Sequence, residues 1–367
     1  FKNRIPLLDE AFSGQLPLEL SGDATATYFY RRTGTTGYRM DVHPVASLPI
    51  VTDYFTLIPS AGLHSTFYFI NHHESISHPE DDENYFFRAM PHMDLALYSE
   101  VFRVFDLTDG QELIASLDNL DNSLWTSIKH SFQPRLEYRY VPNIDQEGNP
   151  YFDRFDRVEE VNQITYSITN TVSRRQETVV MGQGSDGDPM PAINADYQEF
   201  LRFRLEQSFD INEATREDER NTYDVRPFSD LLVDVTFTFN DYVSLVNRTW
   251  FSPYLGQFTE HEHALILGIP DRIKLTMAMD FQDDIDEYTR PERRELNLFR
   301  AALDVNLLYG FGVGFLYEVD FLDLEEMERA MSLSYQHQCF DVTVQYSETP
   351  MEQRVQAWFN LVGVELF

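Results

Sequence analysis

The stretch Phe311-Gly-Val-Gly-Phe-Leu-Tyr-Glu-Val-Asp320 decides the fold, because aromatic or branched apolar side chains occupy every second position. Glycine and acidic residues fill most of the positions between them. Successive side chains of a β-strand point to opposite faces, so the stretch predicts a strand with one apolar and one polar face. The same alternation recurs in 233–240, 273–281, 299–309 and 340–347. No long stretch has a convincing helical period, and the chain is therefore predicted to be all-β.

Clusters of Gly, Pro, Asn and Asp divide the chain into roughly sixteen predicted strands. Their spans are 23–31, 38–48, 56–70, 89–106, 128–142, 162–175, 196–211, 230–239, 242–252, 258–269, 272–281, 295–309, 311–321, 327–337, 339–347 and 354–366. Strands of about 9–15 residues are longer than those of soluble sheets, and a tilted strand needs about 9–11 residues to cross a bilayer. The pattern therefore favours an antiparallel transmembrane barrel with a wet interior, and a soluble β-sandwich or propeller is the alternative.

Composition narrows the class of protein. Acidic residues outnumber basic ones by 61 to 28, and the formal net charge of -33 argues against binding to nucleic acid. Aromatic residues make up 14% of the 367 residues, which argues against simple disorder. The single cysteine, Cys339, excludes a disulfide framework and any multi-cysteine metal site within the chain. The chain opens at Phe1 without an initiator Met or a signal peptide, so we expect a longer polypeptide around it.

The connectors between predicted strands differ in length. Short turns include Asn240-Asp241 and Pro270-Asp271. The long polar connectors are 71–88, 143–161, 212–229 and 282–294. Outer-membrane barrels place short turns in the periplasm and long loops outside, and counting back from a periplasmic C-terminus puts all four long connectors outside. The segment 176–195 is an exception, and is either a periplasmic loop or a slip in the strand count.

Two stretches carry more than a repeating pattern. One runs through Pro134-Arg135, Tyr138, Tyr140-Val-Pro142 and Asp145-Gln146, and continues with Tyr151-Phe-Asp153-Arg-Phe-Asp156 and Asn162-Gln-Ile-Thr165. The other runs from Tyr30-Arg31 through Gly34, Gly37, Arg39 and Pro44 to Leu48-Pro49. Taken in chain order, the two stretches resemble the barrel domain of the LptD family, outer-membrane proteins of lipopolysaccharide assembly.

This resemblance implies an integral outer-membrane barrel of 26 strands that follows an N-terminal periplasmic jelly roll. Residues 1–367 would be the C-terminal portion of that barrel, as one domain, with the jelly roll and early strands outside this chain. The implied function is that of a translocon component that inserts lipopolysaccharide into the outer leaflet of the outer membrane. Sugars and phosphates would pass through the lumen, acyl chains would enter the membrane, and the molecule would leave through a seam involving strand 354–366.

The resemblance also implies partners. They are lipopolysaccharide, an LptE-type plug lipoprotein, the periplasmic Lpt bridge proteins acting through the N-terminal domain, and the barrel-assembly machinery. The aromatic C-terminal stretch 359–367 resembles the signal that this machinery recognises, although an amphipathic strand alone would explain it. Family members commonly have cysteines near Cys339 that join the N-terminal domain, so the resemblance implies a disulfide there. An inert thiol is the alternative.

Six charged residues are predicted to face the lumen. They are Arg135, Glu137, Arg139, Arg202, Arg204 and Glu206. The arginines are candidates for contacts with lipopolysaccharide phosphates or with carbonyl groups of the plug, because guanidinium groups form forked contacts. Internal pairing with Glu137 and Glu206 is an equally good interpretation. Acidic outer loops could also recruit divalent cations, and no other cofactor is predicted.

Candidate metal ligands and catalytic residues are few. His72, His73 and His78 lie near acidic residues in 74–83, where a solvated charge cluster is the preferred interpretation. His261 and His263 would share one face of a strand, a spacing that suits metal ligation. No phosphate loop, zincin helix or nucleophile elbow is present, so no enzyme is predicted. The alternative functions are a sixteen-stranded diffusion porin, in which 354–366 would pair with 23–31, and an outer-membrane hydrolase, for which no site is found.

Overall fold

A computed structural model describes residues 5–6, 18–30, 35–72, 84–107, 123–183, 189–217, 223–288, 290–293, 295–322 and 325–361. Most of these residues lie in one antiparallel sheet of nineteen strands. The strands of this sheet are β1 (Ile5–Pro6), β2 (Glu19–Phe29), β3 (Thr36–Ser47), β4 (Ile50–Val51), β5 (Thr56–His72), β6 (Tyr85–Tyr98), β7 (Val101–Asp106), β8 (Ser123–Val141), β9 (Val161–Gln183), β10 (Pro189–Asp210), β11 (Leu231–Asn240), β12 (Val243–Ser252), β13 (Gln257–Ile269), β14 (Ile273–Gln282), β17 (Leu296–Asn306), β18 (Phe311–Asp320), β19 (Glu325–Gln336), β20 (Phe340–Glu348) and β21 (Gln353–Leu361). A separate hairpin consists of β15 (Ile285–Glu287) and β16 (Arg290–Arg293).

The large sheet is a meander in chain order. Each long strand between β2 and β21 pairs with the preceding and the following long strand, as in β12–β13, β13–β14 and β14–β17. The two-residue strands β1 and β4 and the six-residue strand β7 extend this arrangement locally. Within the described residues, nineteen strands less these three leave sixteen long ones. The all-β prediction and the predicted number of strands are confirmed. Within the described residues, helical structure is confined to short turns, and no helix there is long and apolar enough to cross a membrane.

The sheet is a single layer with two unlike faces. Apolar side chains on one face are exposed, and examples are Phe315, Met331 and Leu333, with 47%, 51% and 54% of their surface accessible. The only other sheet in the described residues is the short hairpin β15–β16. A sandwich would bury its apolar faces between two sheets. This arrangement therefore does not support the sandwich alternative.

The connectors divide between two rims of the sheet. The turn rim carries the short turns 241–242, 270–272 and 337–339. The opposite loop rim receives the strand ends that flank the long connectors. Between the observed strands, the long connectors are 73–84, 142–160, 211–230 and 283–295. Residues 73–83 and parts of the last two connectors lie outside the described residues. All four predicted long connectors therefore belong to the same rim.

Two predicted boundaries are wrong. The segment predicted as a connector, 176–195, is mostly paired strand, because Arg175 lies opposite Tyr197 and Gln183 opposite Pro189. Only 184–188 of this hairpin lies outside the described residues. The predicted strand 89–106 is broken at Ser99 and Glu100 into β6 and β7. As a result, β7, β8, β9 and β10 continue beyond the break toward the turn rim as a narrow extension of the sheet.

The long strands at the two ends of the sheet, β2 and β21, each leave one edge largely free in the described part of the chain. Strand β21 pairs with β20 alone, and β2 pairs with β3 and with the two residues of β1. No pair joins β21 to β2 among the described residues, so the closure that a sixteen-stranded porin requires is not seen. Residues 362–367, which include most of the predicted C-terminal assembly signal, lie outside the described residues.

Candidate functional site

The connector between β8 and β9 folds back onto the polar face of the sheet. We call residues 142–160 the folded connector. Its centre is a short 3₁₀ turn, Arg154–Asp156, which begins at Asp153. The Asp153 carboxylate accepts a hydrogen bond from the Phe155 amide at 2.9 Å, and Asp156 Oδ2 accepts one from the Asp153 amide at 2.8 Å. The two carboxylates thus satisfy amides that the short turn leaves unpaired.

Two buried arginines attach the folded connector to the sheet. Arg39 on β3 donates from Nη1 to Asp153 Oδ1 at 2.7 Å and to Asp156 Oδ1 at 2.9 Å. Arg88 on β6 donates to the Asp156 carbonyl at 2.8 Å and to the Phe155 carbonyl at 3.2 Å. Charged hydrogen bonds between buried partners are among the strongest that a protein forms. These contacts therefore fix the connector against the strands that precede it.

An aromatic contact completes the attachment. The Phe152 ring is buried and stacks on Phe29 of β2, with 4.4 Å between the ring centroids. Tyr68 and Ile70 of β5 belong to the same buried cluster. Because Phe29 is the last residue of β2, the cluster lies near the loop rim. The folded connector therefore covers the polar face of β2–β6 at that rim.

The six residues predicted to face the lumen lie on β8 and β10, on either side of β9. The register pairs Ser167 of β9 with both Arg135 and Glu206, and pairs Thr171 with Arg202. Residues directly opposite each other in a sheet share a face, so both rows of charges border the same row of β9 side chains. That row consists of hydroxyl residues, Thr165, Ser167, Thr169, Thr171 and Ser173. We call these hydroxyls and the six predicted residues the polar wall.

The arginines of the polar wall differ in their partners. Arg135 forms an ion pair with Glu137, and Arg204 forms one with Glu206, each along its own strand. Arg139 lies 3.6 Å from Asp94 of β6. Arg202 has no carboxylate partner among the described residues. Internal pairing, one of the two interpretations of the sequence, is thus present for Arg135 and Arg204, whereas Arg202 remains available to a ligand.

A cavity of about 1120 Å³ opens on the polar wall. Its lining comes from the turn 52–55, from the ends of β5 and β6, and from β8, β9 and β10. At its margin Lys129 Nζ donates to Glu100 at 2.9 Å, and Ser131 Oγ donates to the same oxygen at 2.8 Å. The Lys129 ammonium, with help from Ser131, holds the pKa of Glu100 below its usual range. The cavity is polar and open to water, as a site for a hydrophilic ligand requires.

Sequence reasoning missed two features of this face. The alternating hydroxyls of β9 were visible as a period of two but were not singled out. A histidine cluster on β3, β5 and β6 carried no local signal, because its members are far apart in the sequence. The rings of His43 and His64 stack at 3.7 Å, and His43 Nε2 lies 3.4 Å from His92 Nε2. Asp23 Oδ1 lies 3.3 Å from His43 Nδ1.

The other sequence candidates are dispersed. His73, His78 and the acidic residues 74–83 lie outside the described residues, as does the side chain of His72. His261 and His263 share a face, with 5.6 Å between their ring centroids, and contact Thr249 and Asn247. The described part of the chain has no group of three or more potential ligands that could hold a metal ion. Cys339 is exposed in the turn 337–339, and its disulfide stays a prediction.

Comparison with known proteins identifies the family. A family model described as LptD, LPS transport system D, matches residues 3–268. An LPS-assembly protein LptD of Thiobacillus denitrificans is 28% identical over 170 residues, which cover 41% of this chain and 20% of that protein. An LPS-assembly protein LptD of Nitrosococcus oceani is 29% identical over 188 residues, which cover 46% of this chain and 21% of that protein. The matched stretches thus span about a fifth of the length of these curated relatives. Because the family model covers well over half of its residues, the chain belongs to the LptD family.

Proposed function

We propose that this chain is the C-terminal part of the barrel of an outer-membrane translocon that inserts lipopolysaccharide into the outer leaflet. The observation that carries the proposal is the single-layer sheet, whose apolar face is exposed while its polar face carries the cavity and the charges. An exposed apolar face of this extent marks an interaction surface, and on a sheet of long strands with one polar face the fitting surround is lipid. The polar face then borders an aqueous lumen, as in other transmembrane barrels.

The amphipathic character of lipopolysaccharide suits such a wall. Its sugars and phosphates require water or hydrogen-bonding groups, and its acyl chains require an apolar surround. A continuous ladder of backbone hydrogen bonds cannot let the molecule leave sideways, because each unpaired group in hydrocarbon costs several kcal/mol. A free edge such as that of β21 is a place where the wall opens at lower cost. We infer that the exit seam lies at β21.

The same proposal sets orientation and partners. The turn rim would face the periplasm and the loop rim the outside, so that the folded connector narrows the outer mouth. The rest of the barrel and a periplasmic jelly roll would lie in other parts of the protein, which bind the periplasmic Lpt bridge. An LptE-type lipoprotein would plug the lumen, and the barrel-assembly machinery would insert the chain. Divalent cations at acidic outer loops remain part of the proposal. No step in this function requires catalysis.

Depletion of the full-length protein in its own cells tests the proposal. We expect newly made lipopolysaccharide, followed by pulse labelling and surface accessibility to a modifying enzyme, to stop reaching the cell surface. Uptake of small hydrophilic solutes should be unchanged. Normal surface lipopolysaccharide combined with reduced solute uptake would contradict the proposal and favour the porin alternative.

A further inference from the structure

A second cavity lies on the other side of the sheet from the polar wall. This groove has a volume of about 610 Å³ and is lined largely by the apolar side chains Leu57, Leu97, Leu136, Tyr166 and Ile168. It shares six bordering residues with the polar cavity: Phe55, Tyr98, Ser99, Pro134, Arg135 and Ser167. The apolar groove and the polar cavity therefore lie back to back at one position of the wall.

The wall is interrupted at this position. The turn 52–55 ends the hairpin of β3 and β5, and β6 breaks at Ser99 and Glu100. Beyond the break, β7 pairs with β8 alone among the described residues, so its other edge is free. Ser99 closes the gap, since its amide donates to the Pro134 carbonyl at 3.2 Å and its hydroxyl donates to the Tyr54 carbonyl at 2.5 Å. A ligand that displaces these two hydrogen bonds can reach both faces around the free edge of β7, and no continuous ladder has to break.

The polar side of this edge has the chemistry of a site for a phosphorylated sugar. The hydroxyls of Ser167, Thr169, Thr171 and Ser173 line the cavity as a regular row of donors and acceptors. Arg202 lies opposite Thr171 in the register and has no carboxylate partner among the described residues. Guanidinium groups bind phosphate through forked hydrogen bonds. A sugar with an attached phosphate would use both kinds of group.

We propose that this free edge is a binding site for a phosphorylated glycolipid, with its sugar and phosphate in the polar cavity and an acyl chain in the apolar groove. The inference rests on the proposed function and deepens it, because it assigns a loading position at the turn rim, well apart from the seam at β21. A glycolipid fits better than a phospholipid, because the polar cavity is nearly twice the volume of the groove and is lined by hydroxyls over several residues. A phosphate group alone requires neither the large volume of the polar cavity nor its row of hydroxyls.

Photo-crosslinking in cells tests the site. A photoreactive amino acid replaces Thr169 in the cavity or Leu136 in the groove of the full-length protein. Matched controls carry it at Ala278, which shares the polar face, and at Met277, which shares the apolar face, both on β14 and outside the two cavities. We expect lipopolysaccharide to be captured at Thr169 and Leu136 well above the controls. Arg202→Glu should lower capture at Thr169 about tenfold, the loss expected for one charged hydrogen bond, and Arg202→Lys should restore part of it.

Two results would overturn the inference. One is capture of phospholipid alone at Leu136 and Thr169, and the other is capture of lipopolysaccharide no greater than at Ala278 and Met277. If either occurs while depletion of the protein still stops surface display of lipopolysaccharide, the loading site is wrong and the proposed function stands. If depletion leaves surface display intact, the proposed function itself fails.

Discussion

Arg39 and Asp156 are 117 residues apart in the sequence, and the Arg39 guanidinium donates to the Asp156 carboxylate at 2.9 Å with both side chains buried. Asp156 also receives the amides of Phe152 and Asp153, so one carboxylate joins the connector's own turn to strand β3. The contact turns a long surface connector into a fixed element on the polar face. The position of the folded connector at the loop rim thus depends on a few charged hydrogen bonds.

Removing Arg39 should release the folded connector. Arg39→Ala leaves Asp156 buried without its cation, and breaking a buried ion pair in this way costs about 3–5 kcal/mol. We expect a lower free energy of unfolding in lipid vesicles and faster trypsin cleavage after Arg157. The control is Arg354→Ala, because Arg354 and its partner Glu352 are both about half exposed and the loss of this pair should cost no more than about 1 kcal/mol. Equal effects of the two substitutions would contradict this role for Arg39.

The histidine cluster depends on the absence of a side chain at Gly62. A Cβ atom at this position would lie 2.2 Å from His92 Cε1, so Gly62→Ala forces the imidazole to move. Overpacking of this kind costs about 1–3 kcal/mol. The thermal unfolding midpoint in detergent should fall for Gly62→Ala and recover in part when His92→Ala is added. Gly148→Ala is the control, because nothing lies within 4 Å of its Cβ position. A double variant no more stable than Gly62→Ala would show that His92 is not the obstacle.

The ion pair at the margin of the cavity should respond to acid. The hydrogen bond from Lys129 is the main cause that lowers the pKa of Glu100, so the folded state binds this proton less readily than the unfolded chain. The stabilisation is therefore complete above the unfolded value of about 4.3 and is lost as the pH falls through the folded pKa. Thermal midpoints of the wild type and of Glu100→Gln should differ at pH 7 and converge below pH ~4. A difference that is constant with pH would contradict the assignment.

The sequence predicted the strands well because the signal for a strand is local. Strand β18, predicted at 311–321, is observed at Phe311–Asp320. An alternating pattern depends only on which face each residue occupies, and a single-layer sheet preserves that pattern from end to end. Prediction failed at 176–195, where Gly, Asp and Pro are frequent, because tertiary pairing between β9 and β10 overrides weak local preference.

The site was predicted only in part, for a related reason. The charges on β8 and β10 were recognised, and the register places them on either side of β9. The attachment of Asp153 and Asp156 to Arg39 was not recognised from the sequence, although all three residues belong to or border the quoted motifs. Contacts between residues more than a hundred positions apart leave no periodic trace in the sequence. The break at Ser99 and Glu100 also depends on a distant part of the sequence, because it lies where the hairpin of β3 and β5 ends.

The disulfide predicted at Cys339 is testable in the full-length protein. The thiol is exposed on the turn rim, so a free cysteine would react readily with a maleimide. If Cys339 is joined to another part of the protein, the mass shift from alkylation should appear only after reduction. Cys339→Ser is the control for the assignment of the labelled site. Equal labelling with and without reductant would contradict the disulfide.

The central claim is that the apolar face of the sheet contacts lipid and the polar face contacts water. A cysteine scan of β14, in the full-length protein with all its native cysteines replaced by serine and inserted in native membranes, tests it most directly. Outward positions Leu275, Met277 and Met279 alternate with inward positions Thr276, Ala278 and Asp280. We expect a membrane-impermeant charged maleimide to label the inward set. When each cysteine carries a small fluorophore instead, lipid-soluble quenchers should reduce the fluorescence of the outward set only. Labelling without alternation, or with the two sets exchanged, would contradict the claim.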